Sequence, residues 1–189
     1  IQGFTKSLNT NYILSLVNTF NPSDKIGLTT SAGYTQENGD FNNVLNVATR
    51  VASGQSNVDQ GSALSAQQFR NKFQNQGIFI QEEASINDAI NLTAGVRFDR
   101  STNNGDPEKF YVYPKAGVSF NLTRMGIMSD GFFDNLKLRA AYGQSANFPV
   151  FGSKFTTFVA SNIGGLQGYL VNVQGGDPEI EPERQTEFE

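Results

Sequence analysis

Side-chain character alternates along residues 25–35 without a break. Ile26, Leu28, Thr30, Ala32 and Tyr34 fall on one parity; Lys25, Gly27, Thr29, Ser31, Gly33 and Thr35 fall on the other. Successive residues of a strand point to opposite faces, so a period of two builds one apolar and one polar face. Residues 11–20 repeat the pattern more loosely, with Tyr12, Leu14, Leu16 and Phe20 against Asn11, Ser15 and Thr19. Between the two runs stands Asn21-Pro22-Ser23-Asp24, whose Pro, Ser and Asp are turn residues. The pattern predicts a long hairpin, with strands over about residues 8–20 and 25–36.

The rest of the chain repeats this unit. A third strand is expected over residues 77–86, with Ile78, Ile80, Ala84 and Ile86 on one face and Glu82 interrupting that apolar stripe. A tight turn at Asn87-Asp88-Ala89 leads to a fourth, where Ile90, Leu92, Ala94, Val96 and Phe98 alternate with Asn91, Thr93, Gly95, Arg97 and Asp99. A fifth covers 110–122, with Phe110, Val112, Pro114, Ala116, Val118, Phe120 and Leu122 on its apolar face. Pro114 lacks a ladder donor, so strict pairing is expected only after it. A connection over 123–135, broken by Ser129-Asp130-Gly131, leads to a sixth strand at 136–143, and a seventh begins near Glu183. Two polar stretches read as long loops. Residues 37–72 hold two candidate short helices, at 43–51 and 64–73, and residues 144–182 carry several aromatics. Loops of this length are usually functional.

Composition narrows the functions. Cysteine and histidine are both absent, which removes disulfides, thiolate chemistry, the usual zinc sites and histidine general-base catalysis. The net charge of −4 with scattered signs argues against a nucleic-acid surface, which needs clustered Lys and Arg. No apolar run approaches the roughly 18 residues of a membrane helix. The chain starts and stops within an alternating pattern, as a piece of a longer protein would.

Three features favour a membrane barrel. The strands run about 8 to 13 residues, against a usual mode of roughly 5 to 6 and about 9 to 11 for a membrane-spanning strand. Connections read as tighter after strands one, three and five and longer after two, four and six, the asymmetry of outer-membrane barrels. Aromatics (Tyr12, Phe20, Tyr34, Phe98, Phe110, Tyr142) sit near the ends of the apolar faces, like barrel girdles. Gly27, Gly33, Gly95, Gly117 and Gly143 all share the polar parity, as a lumen wall tolerates. The alternatives are a soluble extracellular β-sandwich binding module, with the apolar face as its core, and a passive porin or adhesin barrel. If a barrel, seven strands leave two unpaired edges, so further strands must complete it.

Four motifs, in order, carry a family resemblance. Ala94-Gly95-Val96-Arg97-Phe98-Asp99 is similar to the recurrent "AGVRxD" strand of TonB-dependent outer-membrane receptors. Tyr113-Pro114-Lys115-Ala116-Gly117-Val118-Ser119-Phe120 is similar to their "xPKAGxSY" strand. The run 136–147, LKLRAAYGQSAN, resembles "LKLRASYGxxGN", especially of the SusC/RagA type, and 177–183, DPEIEPE, resembles "NPDLKPE". Ala146 departs from the usual Gly and Glu181 from the usual Lys. The resemblance implies an all-β fold: residues 1–189 are a section of a large antiparallel transmembrane β-barrel, of 22 strands in the family, with the lumen filled by a plug. It implies energy-coupled import across the bacterial outer membrane, in contact with membrane lipid. The implied partners are the TonB complex, reached through an N-terminal plug absent from this sequence, a SusD-like surface lipoprotein, and a glycan, peptide or metal-chelate ligand.

No enzyme constellation, cofactor motif or metal motif is present. Glu82 and Glu83 point opposite ways on a strand. Asn104, Asp106 and Glu108 read as a solvated turn rather than a calcium loop. Candidate ligand residues are Arg97, Asp99 and Arg139 on the lumen parity, for which wall ion pairs compete as the role. The loop residues Phe41, Arg50, Phe148, Phe151, Phe155, Phe158 and Tyr169 are the others, because loops on rigid scaffolds carry recognition.

Overall fold

The computed structural model describes residues 1–127 and 135–189. Ser129, Asp130 and Gly131, expected to break the fifth connection, lie outside the described residues. The strands are β1 (Gln2–Ser23), β2 (Ile26–Val51), β3 (Gly61–Ile86), β4 (Ile90–Ser101), β5 (Tyr111–Asn121), β6 (Lys137–Asn147), β7 (Phe158–Ile163), β8 (Leu166–Val171) and β9 (Glu183–Phe188). Seven of them form one antiparallel sheet in the order β1-β2-β3-β4-β5-β6-β9, and β7 and β8 form a separate hairpin. No second sheet faces the large one among the described residues. A sandwich core needs two facing layers.

The register stacks the predicted apolar faces into one belt. Ile26, Ile86, Ile90, Phe120 and Leu138 make one transverse row, and Tyr34, Ile78, Phe98 and Val112 make another. Between these rows lie the nine residues 26–34 of β2. At about 3.4 Å per step over eight steps and a tilt of about 40°, the two rows stand roughly 21 Å apart, near the ~25 Å apolar band of outer-membrane barrels. The belt faces outward uncovered: Leu14 and Leu16 are 72% and 70% exposed.

One row beyond Tyr34, the outer face turns polar. Arg100 Nε donates to Gln76 Oε1 at 2.6 Å, and Gln76 Nε2 donates to Gln36 Oε1 at 3.2 Å. The Arg100 guanidinium lies 4.9 Å from the Phe110 ring centroid. Tyr34 donates its hydroxyl to Gln36, and Gln144 donates to the Tyr142 hydroxyl. Tyr34 thus keeps its ring in the belt and its hydroxyl on the polar rim.

The largest departure from the sequence expectations lies beyond this rim. Residues 37–72 are mostly strand rather than loop, with a connection only at 52–60, and the helices expected at 43–51 and 64–73 are strands. β2 and β3 continue paired from Ile26↔Ile86 to Val51↔Gly61, and β1 accompanies them to Gln2↔Asn46. The only helical element among the described residues is the short turn Val58–Gln60. From Gln36 to the tip of β2 the ribbon reaches about 50 Å at the strand rise. Its outer face bears Asn38, Asp40, Asn42, Arg70, Lys72 and Gln74, while Phe41, Phe69 and Phe73 share the inner parity. A sheet standing in water needs no lipid-facing stripe, so the alternation that marks the belt fades.

Two further expectations shift. The connection after β5 spans residues 122–136 and is longer than those at 52–60 and 102–110, so only the first two turns at that end are tight. Residues 144–182 are also not wholly loop, since they hold the end of β6 and the β7–β8 hairpin. Pro114 pairs with Val96 on the β4 side, while pairing to β6 begins at Lys115, one residue later.

Candidate functional site

The polar parity of the belt builds the inner wall, and its glycines make room for the side chains of neighbouring strands. Gly33 lies opposite Phe79; a Cβ on Gly33 would lie 2.5 and 2.6 Å from two ring carbons of Phe79 and 2.9 Å from the Leu14 carbonyl oxygen. Gly77 lies opposite Asp99 and Thr35. A Cβ there would clash with the Arg97 and Asp99 side chains and would stand 2.8 Å from Thr35 Oγ1. Lys115 lies across Gly95, with its Cε 3.1 Å from where a Cβ would stand.

In the space that Gly77 leaves open, Arg97 Nε donates to both Asp99 oxygens, at 2.7 and 2.8 Å, and its Nη2 donates to Thr35 Oγ1 at 3.2 Å. Arg97 and Asp99 sit two apart on one strand, hence on one face. The pair is half open to solvent on the arginine side, so its stabilisation is at most about 1 kcal/mol. It fixes a guanidinium on the wall.

Two cavities meet at this pair. One, of about 530 Å³, is lined by Phe79, Gln81, Tyr113, Lys115, Ser145 and Phe148, along with Arg97 and Asp99. The other, of about 380 Å³, is lined by Asn11, Ile13, Thr35, Glu37 and Asn75, again with Arg97, Asp99 and Phe148. Residues 144–146 at the end of β6, with Phe148 just beyond them, cross the rim of the first cavity, and Phe148 borders both. The wall therefore offers a fixed guanidinium, the Lys115 ammonium, carboxylates, amides and the three aromatic rings of Phe79, Tyr113 and Phe148. That set suits a polar organic ligand or another protein surface, and it has no nucleophile–base arrangement.

Loops cap the adjacent end of β4 and β5. The Gly105 amide donates to the Ile180 carbonyl at 2.8 Å, and the Asp177 amide donates to that of Ser153 at 3.0 Å. Lys154 Nζ donates to the carbonyls of Thr102 and Asn104, at 2.8 and 3.1 Å. Ser101, Asn104, Tyr111 and Tyr113 are buried around this cap. The Lys154 ammonium already satisfies two loop carbonyls of the kind a calcium ion would take. Among the described residues no group of three or more metal-ligating side chains forms. Lys109 bonds Glu181 at 2.5 Å, tying the β4–β5 loop to the segment before β9. That hydrogen bond raises the Lys109 pKa and lowers that of Glu181.

The predicted residues divide. Arg97, Asp99 and Phe148 come together at the cavities. Phe41 lies on the β2 extension, with its ring centroid 6.0 Å from that of Phe69. Arg50 stands at the tip of β2 with a positive φ of 54°. Arg139 lies at the opposite end of the sheet, paired with Glu189. Phe151 and Phe155 belong to the loop cap, with Lys154 Nζ 5.4 Å from the Phe155 ring centroid. Phe158 and Tyr169 stand on the exposed β7–β8 hairpin. Thr35, Gly77, Phe79, Tyr113 and Lys115 were missed as site residues. Each shares the parity of Arg97, and the register alone sets them beside it.

The family model described as TonB dependent receptor-like, beta-barrel, matches residues 2–189. The chain belongs to this family. It is a family of receptors and transporters, not an enzyme class. The structure of the RagAB peptide transporter superimposes with a TM-score of 0.80 at 15% identity, over 98% of this chain and 21% of that one. The RagAB peptide importer in its "open-open" state gives 0.80 at 16% identity, and in its "closed-closed" state 0.79 at 15%, with the same coverage. At such identity the likeness is one of fold. The chain spans about a fifth of the chains it matches, so it is a section of such a barrel. No curated protein matches the sequence.

Proposed function

We propose that this barrel section belongs to an outer-membrane transporter that imports a nutrient with energy supplied through TonB. The observation that carries the reading is the two-sided wall. An uncovered apolar belt of membrane thickness backs a charged inner face, where two cavities meet at Arg97 and Asp99. Residues 1–189 make one partial barrel domain, and strands elsewhere in the same protein close it. A plug elsewhere in the protein fills the lumen and engages the TonB complex. The RagAB likeness favours a surface lipoprotein partner at the extended end and puts peptides ahead of glycans and metal chelates as cargo.

The test uses the full-length gene, with and without its TonB box, in a deletion strain. Uptake of fluorescein-labelled tryptic oligopeptides is measured beside uptake of a labelled oligosaccharide mixture. Active import predicts accumulation that is lost with the TonB box and on collapse of the proton gradient. A passive porin predicts uptake unaffected by either. Cell fractionation should place the protein in the outer membrane.

A further inference from the structure

The inner face of β4 and β5 carries two cations, Arg97 and Lys115. Arg97 is paired with Asp99, whereas Lys115 forms no ion pair among the described residues. The register gives the reason. Its row reads Gln81, Gly95, Lys115, Gly143 and Glu187 from β3 to β9. Both neighbours are glycines, with no side chain to meet the ammonium. Gln81 donates to Glu83, and Gln185 Nε2 donates to Glu187 Oε1 at 2.7 Å, so both nearby carboxylates already hold an amide. One row towards the loops, Tyr113 stands opposite Arg97 and is only 4% exposed. Its hydroxyl is buried without a partner among the described residues. An unbonded hydroxyl in such a place is destabilising. Arg97 uses Nε on Asp99 and Nη2 on Thr35, which leaves Nη1 without a partner among the described residues.

These three donors line the same cavity of about 530 Å³. It lies where β5 and β6 part. Their pairing ends at Lys115↔Gly143, while β5 stays on β4 as far as Tyr111 and β6 stays on β9 as far as Asn147. Pro114, which has no N–H to give the ladder, is the first residue past that end. Asp99 is the one carboxylate among the lining residues and is held by Arg97, so the two cations leave the cavity with a net positive charge. We propose that this cavity binds a carboxylate, and that the carboxylate is the free C-terminus of a cargo peptide. The choice of a peptide rests on the import reading above. A carboxylate accepts at about four lone-pair sites, enough for the Lys115 ammonium, the Tyr113 hydroxyl and Arg97 Nη1 together. Bonds between charged partners are also roughly twice as strong as neutral ones. Phe79 and Phe148 border the same space and offer apolar faces to the last side chain of the peptide. An acidic sugar carries the same group, and the experiment separates the two sources.

The experiment uses the full-length protein in lipid nanodiscs. Fluorescence anisotropy compares a randomised pool of short, N-terminally labelled peptides made as free acids with the same pool made as C-terminal amides. The acids should bind at least about tenfold more tightly, as expected for a charge-assisted bond. Lys115→Met should bring the acids down to the level of the amides, and Lys115→Arg should keep most of the preference. Tyr113→Phe removes only the hydroxyl and should lower the preference by about threefold, the worth of one modest hydrogen bond, with the barrel still heat-modifiable. Labelled oligogalacturonate and its methyl ester form the second arm. If neither peptide pool binds, yet the sugar acid binds, its ester does not and Lys115→Met abolishes the difference, then the carboxylate site stands and the peptide is overturned as its source. Equal binding of acids and amides overturns the site and leaves peptide import standing. Binding of neither anion overturns the site as well. So does a Lys115→Met barrel that is less stable but keeps the wild-type preference for acids, the signature of an ammonium bonded to a carboxylate of the plug.

Discussion

Gly33→Ala tests whether the inner wall is built by glycines that receive their neighbours' side chains. The added Cβ would stand 2.5 and 2.6 Å from the Phe79 ring and 2.9 Å from the Leu14 carbonyl. Carbon contacts relax near 3.5–4.0 Å, so the ring must retreat by about 1 Å. The carbonyl is fixed by the β1–β2 ladder and cannot retreat. Overpacking of this kind costs about 1–3 kcal/mol. Removing the ring by Phe79→Ala loses its own packing, but in the double variant the ring clash is gone and only the carbonyl contact remains. The two changes should therefore be non-additive by about 1–2 kcal/mol, with the double variant more stable than the sum predicts. The assay is urea unfolding of the full-length barrel refolded into lipid vesicles, read by heat-modifiability on gels. Because Phe79 lines the larger cavity, Gly33→Ala should also weaken labelled-peptide uptake. A neutral Gly33→Ala, or strict additivity with Phe79→Ala, would refute the packing argument. Gly143→Ala is the control, since nothing lies within 4 Å of its Cβ position.

Other consequences follow from the site and its cap. Asp99→Asn should cost at most about 1 kcal/mol of stability, because the Arg97 pair is half exposed, and should lower transport at unchanged expression; unaltered uptake would remove the pair from the ligand path. Phe148→Ala, at the border of both cavities, should raise the half-saturating concentration of cargo without changing urea stability. The Lys109–Glu181 tether has a defined pH window. The lowered Glu181 pKa makes its contribution present above the ordinary 4.5 and lost as pH falls through the lowered value. The raised Lys109 pKa makes its contribution present below the ordinary 10.5 and lost as pH rises through the raised value. Hydrogen exchange at the Gly105 amide, bonded to Ile180, should accelerate outside that window, and Glu181→Gln should flatten the acidic limb.

Where lipid imposes polarity, the chain is legible. Alternation at period two placed six of the sheet's strands and the Glu183 start of the seventh, because one face must be apolar and the other must not. It named Arg97 and Asp99 as neighbours, since two residues apart on a strand share a face. It failed at residues 37–72, where β2 and β3 leave the belt. There both faces meet water, strands of Asn, Gln and Ser satisfy the ladder as well as any others, and composition resembles a loop. The β7–β8 hairpin was hidden for another reason: its six-residue strands are mostly apolar and show no period-two face. Register was the other gap. That Thr35, Gly77, Phe79, Tyr113 and Lys115 surround Arg97 depends on which residue faces which across strands up to 62 positions apart (Thr35 to Arg97). The sequence by itself determined the faces of each strand, because a side chain's direction is a local property of the backbone. Only the tertiary structure decided which faces meet, because pairing is fixed by hydrogen bonds between segments distant along the chain.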